Sequence, residues 1–204
     1  MLLFEDKVTS NREAFIAKVQ QIASQLDIDA NWLMGTMWIE SKLNPVAVNS
    51  TTGATGLIQF MPATALSLGV TTAQLKQMTN VEQLDYVYKY YKPYRNYITK
   101  FEDLYLITLY PNADGQFAGT LSKPDSWALP DSVRISNPGI FNTNGKLTIG
   151  DIREWAMSKI PASETETFTA SIDVAPKFFL RNITTIIVVS AVISIGTYVY
   201  LTHT

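Results

Sequence analysis

Residues 38–65 read WIESKLNPVAVNSTTGATGLIQFMPATA and hold a single carboxylate, Glu40; the next acid is Glu82. This stretch limits the fold more than any other. A helix spanning 31–43, capped by Asp29, must stop ahead of Pro45, because proline disfavours the α conformation in the residue before it. The Gly- and Ser/Thr-rich run after Val46 must then turn the chain. On such a helix Leu33, Thr36, Met37, Leu43 and Asn44 share the face of Glu40, and that face is largely apolar. An acid placed there loses solvation of its charged form, so its pKa is expected to rise. The nearby helix C-terminus, the negative end of the dipole, favours the protonated form further. A raised pKa suits a general acid working near neutral pH.

Glu40-Ser41, Leu43-Asn44-Pro45, Ala47, Gly53-Ala54, Gly56-Leu57-Ile58-Gln59-Phe60-Met61-Pro62 and Thr64-Ala65 together resemble the signature of the soluble lytic transglycosylase (SLT) family. The resemblance is dense over residues 40–65 and thins beyond. It implies an all-α, goose-type lysozyme-like fold with Glu40 as the single catalytic acid/base. It implies that Ser41 orients the site and that Gly56, Leu57, Gln59 and Met61 line the sugar groove. Leu109-Tyr110-Pro111-Asn112-Ala113 is similar to a variant of the family's Ala-Tyr-Asn-Ala-Gly motif with a proline inserted, which makes Tyr110 and Asn112 substrate-binding candidates. The implied reaction cuts the β-1,4 bond between N-acetylmuramic acid and N-acetylglucosamine in peptidoglycan and closes a 1,6-anhydro ring instead of adding water.

The residues agree with that chemistry. Ordinary glycosidases pair two carboxylates about 5 to 9.5 Å apart. Here no second acid is local, and Glu82, Asp85, Glu102, Asp103 and Asp114 are the ones a fold could bring near. A lone acid suffices where the substrate's own acetamido oxygen supports the cationic carbon. No cofactor is implied. Cysteine is absent and His203 is the single histidine, so a thiol nucleophile, a His-based triad and a multi-His metal site are excluded. The stretch 142–147 reads as an Asn-Gly turn rather than a calcium loop, because Ile140 would stand at the first ligand position. A net charge of −2 without a basic tract argues against nucleic-acid binding.

Along the chain, residues 1–9 read as a short leader without the pattern of a secretory signal. Ser10 and Glu13 have capping-box spacing before an amphipathic helix carrying Phe15, Ile16, Val19, Ile22 and Ala23. Residues 56–60 are expected to lead into a short helix with Pro62 in its first turn. Further helices are expected at 72–78, 81–91, 101–110 and 151–160. Eight of the ten tyrosines lie between Tyr86 and Tyr110, either as helix packing or as part of a sugar-cleft wall. The expected organisation is an all-α lysozyme-like domain at 1–160, a linker at 161–182 and one transmembrane helix at 183–201.

The last of these is nineteen uncharged residues, about 28 Å as a helix against a hydrocarbon core of about 30 Å. Lys177 and Arg181 precede it and only Thr202-His203-Thr204 follow, so the positive-inside tendency leaves the catalytic domain on the cytoplasmic side. A bacteriophage virion with an internal membrane would reconcile that orientation with a wall substrate; the rival is a bacterial inner-membrane protein. Expected partners are peptidoglycan strands, the lipid membrane through 183–201, and other virion proteins. Two rival functions stay open: a hydrolytic muramidase on the same fold, and a non-catalytic membrane-anchored glycan-binding or structural virion protein.

Overall fold

The computed structural model describes residues 1–109, 123–136, 139–140 and 145–172. Tyr110, Asn112, Asp114, residues 142–144, the remainder of the expected linker and the 183–201 span lie outside them. The described residues form α1 (Arg12–Leu26), α2 (Ala30–Ser41), α3 (Pro62–Ser67), α4 (Thr72–Gln77), α5 (Asn80–Tyr91), α6 (Phe101–Leu109), α7 (Asp131–Ser136), α8 (Ile149–Ser158) and α9 (Thr165–Ile172). Extended backbone among them is limited to isolated bridges, such as Val48 with Thr55 and Thr55 with Phe60. The mainly helical class expected from the sequence holds. Among the described residues no helix is long and apolar enough to cross a membrane.

The centre of the fold is α2. Asp29 caps it as expected, its side chain accepting from the Asn31 N–H. Trp32, Leu33, Met34, Gly35, Thr36 and Met37 are all buried, so the helix is enclosed on every side rather than along one stripe. It packs against α1, α6 and α9, while α1 also packs on α5 and α6 on α8. The core-facing reading of α1 is correct, with Phe15, Val19, Ile22 and Ala23 buried. Burial of a large apolar side chain of this kind contributes about 1.5–3 kcal/mol.

Five local expectations need correction. The α2 helix stops at Ser41, before the proline acts. Lys42 and Leu43 both adopt left-handed backbone (φ 56° and 61°), and the Leu43 N–H reaches back to the Met37 carbonyl, closing a Schellman-type end. Residues 56–60 are a tight turn rather than a helix entry, because Gly56 (φ 86°) and Gln59 (φ 53°) are left-handed; the helix begins at Pro62. Ser10 caps nothing. Left-handed Asn11 precedes α1, and the Ser10 carbonyl accepts from Asn80 Nδ2. The leader is part of the core: Leu3 and Phe4 are buried, and Phe4 stacks on Trp38 at 4.1 Å between ring centroids.

The fifth correction moves the domain boundary. Residues 161–172, read as the start of a linker, include α9, and the compact unit runs Met1–Ile172. Phe168 is fully buried, edge-on to Phe101 at 5.0 Å, and Trp32 Nε1 donates to the Ser171 carbonyl at 2.8 Å. A helix with few apolar residues carries a weak periodic signal. Here three buried positions, Phe168, Ser171 and Ile172, hold it against α2, so packing rather than propensity sustains it.

Candidate active site

Glu40 is the penultimate residue of α2, and its carboxyl is mostly enclosed. Burial pushes it from the ordinary glutamate value up to about 7, and a hydrogen bond from Tyr105 opposes that rise. Tyr105 Oη donates to Glu40 Oε1 at 2.7 Å. The Tyr105 ring is fixed by stacking on Phe101 at 5.7 Å and by contact with Trp155 of α8 at 5.5 Å. Tyr90 and Tyr91 of α5 stand close enough for the charge on Glu40 to raise their phenol pKa values, although burial is the larger cause in each. Their hydroxyls are engaged elsewhere, Tyr90 with the Ile107 carbonyl and Tyr91 with Thr108. Of these three tyrosines, Tyr105 is the one hydrogen-bonded to the carboxyl.

The described acids that could have supplied a second carboxylate are each committed elsewhere. Glu82 closes the capping box of α5 on Thr79. Asp85 pairs with Lys18 at 2.7 Å. Asp103 accepts from the backbone and hydroxyl of Thr99. Glu102 is buried and lies 2.7 Å from Arg153 Nε, tying α6 to α8; burial raises its pKa while Arg153 and Lys100 oppose the rise.

The loop after Glu40 is bolted to the helix that carries it. Ser41 Oγ lies 2.9 Å from the Leu57 carbonyl and 3.1 Å from the Met37 carbonyl, its hydroxyl donating towards them. Gln83 of α5, fully buried, does the same from the other side. It accepts from the Leu57 N–H at 3.0 Å and donates to the Pro45 and Leu75 carbonyls at 2.6 and 2.8 Å. Gly56 is required here. A Cβ at that position would sit 2.5 Å from Gln83 Oε1, on backbone that is already left-handed. Gly56→Ala is expected to cost about 1–2 kcal/mol from backbone strain alone, with the lost Gln83 contacts added. Thermal unfolding checks this, and an unchanged midpoint would contradict the packing described.

The groove-lining expectation therefore divides. Leu57 is fully buried, so its side chain forms no open wall and its backbone makes the contacts, while Ser41, expected to orient the site, bolts the loop to α2. Gln59 is half-buried, with its amide nitrogen on the Gly56 carbonyl at 3.0 Å, and Met61 is exposed. Tyr110 and Asn112 lie outside the described residues.

Residues 18–101 match the family model described as Transglycosylase SLT domain. The matched segment runs from α1 to the start of α6 and contains Glu40, the bolted loop and Gln83. It ends before Tyr105 and Trp155. No curated protein matches the chain. The SLT match supports a peptidoglycan-cleaving enzyme of transglycosylase type.

Three residues at the site were not singled out by sequence reasoning. Tyr105 and Tyr91 were members of an undifferentiated tyrosine cluster, and nothing in their spacing tells which ring reaches the acid. Gln83 carried no signal, being a polar residue on an amphipathic helix. Tyr105→Phe removes the bond that favours the charged form of Glu40, so the Glu40 pKa rises further. The alkaline limb of the pH–rate profile, which falls as Glu40 loses its proton, is then expected to move to higher pH. A limb that stays in place would separate Tyr105 from the acid.

Proposed function

We propose that this chain is a lytic transglycosylase that cuts the β-1,4 bond between N-acetylmuramic acid and N-acetylglucosamine, with Glu40 acting first as acid and then as base. The observation that carries the reading is an enclosed carboxyl at the end of α2, raised to about 7, whose hydrogen-bond partner is a tyrosine rather than a second acid. Protonated Glu40 gives its proton to the glycosidic oxygen as the C1–O bond breaks. The acetamido oxygen of the muramic residue supports the positive charge at C1, the role a nucleophilic carboxylate fills in a retaining glycosidase. Glu40, now a carboxylate, takes the proton of the 6-hydroxyl as O6 bonds to C1. Atoms balance without water, and the acid is regenerated. A pKa near 7 suits both halves of the cycle, since the group must give and take a proton at the same pH.

Mass spectrometry of sugar products from purified peptidoglycan tests this. Anhydro-muramic ends, one water lighter than reducing ends, are expected. Reducing ends would make the enzyme a muramidase, and the absence of products would favour a glycan-binding role.

The reading extends to location. The apolar run 183–201, preceded by Lys177 and Arg181, would hold the domain at a membrane surface. We place that membrane inside a phage virion, for local opening of the wall during entry, a reading that the orientation favoured by those basic residues supports. Protease protection of the domain in membrane fractions from infected and uninfected cells tests it. A periplasm-exposed domain in uninfected bacteria would overturn it.

A further inference from the structure

One turn before Tyr105 on α6 lies a buried ion pair. Glu102 is fully buried, and its Oε1 is 2.7 Å from Arg153 Nε of α8. Its Oε2 has no hydrogen-bond donor among the described residues. Arg153 also donates from Nη2 to the Ile172 carbonyl at 2.9 Å and stands 3.8 Å from Asp125, which pairs with Lys100 at 2.6 Å. Taking two charges out of water is costly, and apolar side chains put in place of such a pair often leave a protein as stable or more so. A pair of this kind is better accounted for by the geometry it holds than by stability.

That geometry is the setting of Tyr105. Glu102 and Tyr105 are three residues apart and share a face of α6. Arg153 and Trp155 are two apart, at about 100° per residue, so they leave α8 on either flank of its buried stripe, Ile149, Ile152 and Ala156. The helices therefore meet at two separate points, the ion pair and the contact of the Tyr105 and Trp155 rings at 5.5 Å. The other buried side chains of α6 include Leu104, Leu106 and Ile107, and apolar burial has no directional preference. An ion pair has one. Side chains reach about 5–6 Å from a helix axis, so turning α6 by about 15° would carry the Tyr105 hydroxyl roughly 1.5 Å, enough to break its 2.7 Å bond to Glu40.

On the reading of Glu40 as the acid acting on peptidoglycan, we propose that Glu102 and Arg153 are positioning residues, whose ion pair fixes the rotation of α6 that keeps the Tyr105 hydroxyl on Glu40. They act through Tyr105. That bond favours the charged form of Glu40 against its burial, and so supports the half of the cycle in which Glu40 is the base. Tyr90 and Tyr91, the other titratable groups facing Glu40, have their hydroxyls on the Ile107 carbonyl and on Thr108.

The test is a titration of Glu40 in the full chain, followed by NMR of carbon-13-labelled glutamate carboxyls, with Glu40→Gln identifying the signal. Wild type is compared with Glu102→Met, Arg153→Met and the double variant, each with and without Tyr105→Phe. All three are expected to raise the Glu40 midpoint above about 7, towards that of Tyr105→Phe, and to move it no further once Tyr105 is replaced. Direction separates positioning from charge. Acting through space, loss of the Glu102 charge would lower the midpoint and loss of Arg153 would raise it; lost positioning raises both. A lower midpoint in Glu102→Met would overturn the proposal, as would shifts that add to that of Tyr105→Phe. The double variant keeps the net charge and is expected to fold even where a single variant, with one charge of the pair removed, does not; an unchanged midpoint there would also overturn it. The alkaline limb of kcat/KM should follow the midpoint. The titration needs no substrate, so a wild type that cleaves nothing would defeat the catalytic reading while the role of the pair is still decided.

Discussion

Glu40→Gln is expected to lower release of anhydro-muramic products by about 10²–10⁴-fold, the usual contribution of a positioned general acid, while leaving the fold intact. Glutamine keeps the shape of the side chain and can still accept the Tyr105 hydrogen bond through its amide oxygen. What it removes is the proton. The same variant has a second signature, in stability. The folded-state pKa of Glu40 is raised from 4.5 to about 7 by burial. A raised carboxyl contributes stability that is fully present below about pH 4.5, where both states hold the proton. That stability is lost as pH rises through about 7, because the unfolded chain releases the proton first. The full difference is on the order of 3 kcal/mol. Glutamine has no such titration. Glu40→Gln should therefore match wild type in acid and exceed it above neutrality, an inactive variant that is the more stable protein. Chemical denaturation at about pH 4 and about pH 8 reads this directly. Equal stabilities at both would mean that Glu40 is solvated and that its raised pKa is not a property of the folded chain.

Phe168→Ala is expected to be the most damaging single change to the fold. The side chain is fully buried between Phe101 and α2, and it lies so close to the backbone there that a Cβ on Gly35 would stand 2.7 Å from its ring. Truncation of a buried phenylalanine costs about 3–5 kcal/mol. For a domain of this size that is on the order of a 10 °C fall in Tm. Activity should decline with it, because the ring supports the helix that carries Glu40. A chain cut after Ile160, where the sequence places the domain end, removes the same ring and should fare no better. A Tm within about 2 °C of wild type would show that α9 does not belong to the domain.

The candidate site was legible where the proposed chemistry demands particular residue types in sequence. Glu40, Ser41, Gly56 and Gln59 lie within twenty residues of each other, and the isolation of one acid in an apolar setting is a feature of the sequence itself. The elevated pKa followed from that setting. Less legible were contacts made by residues far apart in the chain. Tyr105 reaches Glu40 across 65 positions, and Gln83 reaches Leu57 across 26; neither has a local pattern. The role expected for Leu57 differed for another reason. A motif shows that a residue type is needed but not whether its side chain or its backbone is used. Helix α9 was missed because its packing rests on Phe168, Ser171 and Ile172, too few apolar positions to make a periodic pattern.

The acid and its hydroxyl donor lie on α2 and α6, the two helices buried on nearly every side. Segments of that kind open only with the whole molecule, so their amides should be the last to exchange with deuterium. The Glu40–Tyr105 pair then has no separate, softer route to failure. On heating, loss of turnover and loss of structure should trace one curve, and the enzyme should work at full rate until the temperature at which it ceases to be folded.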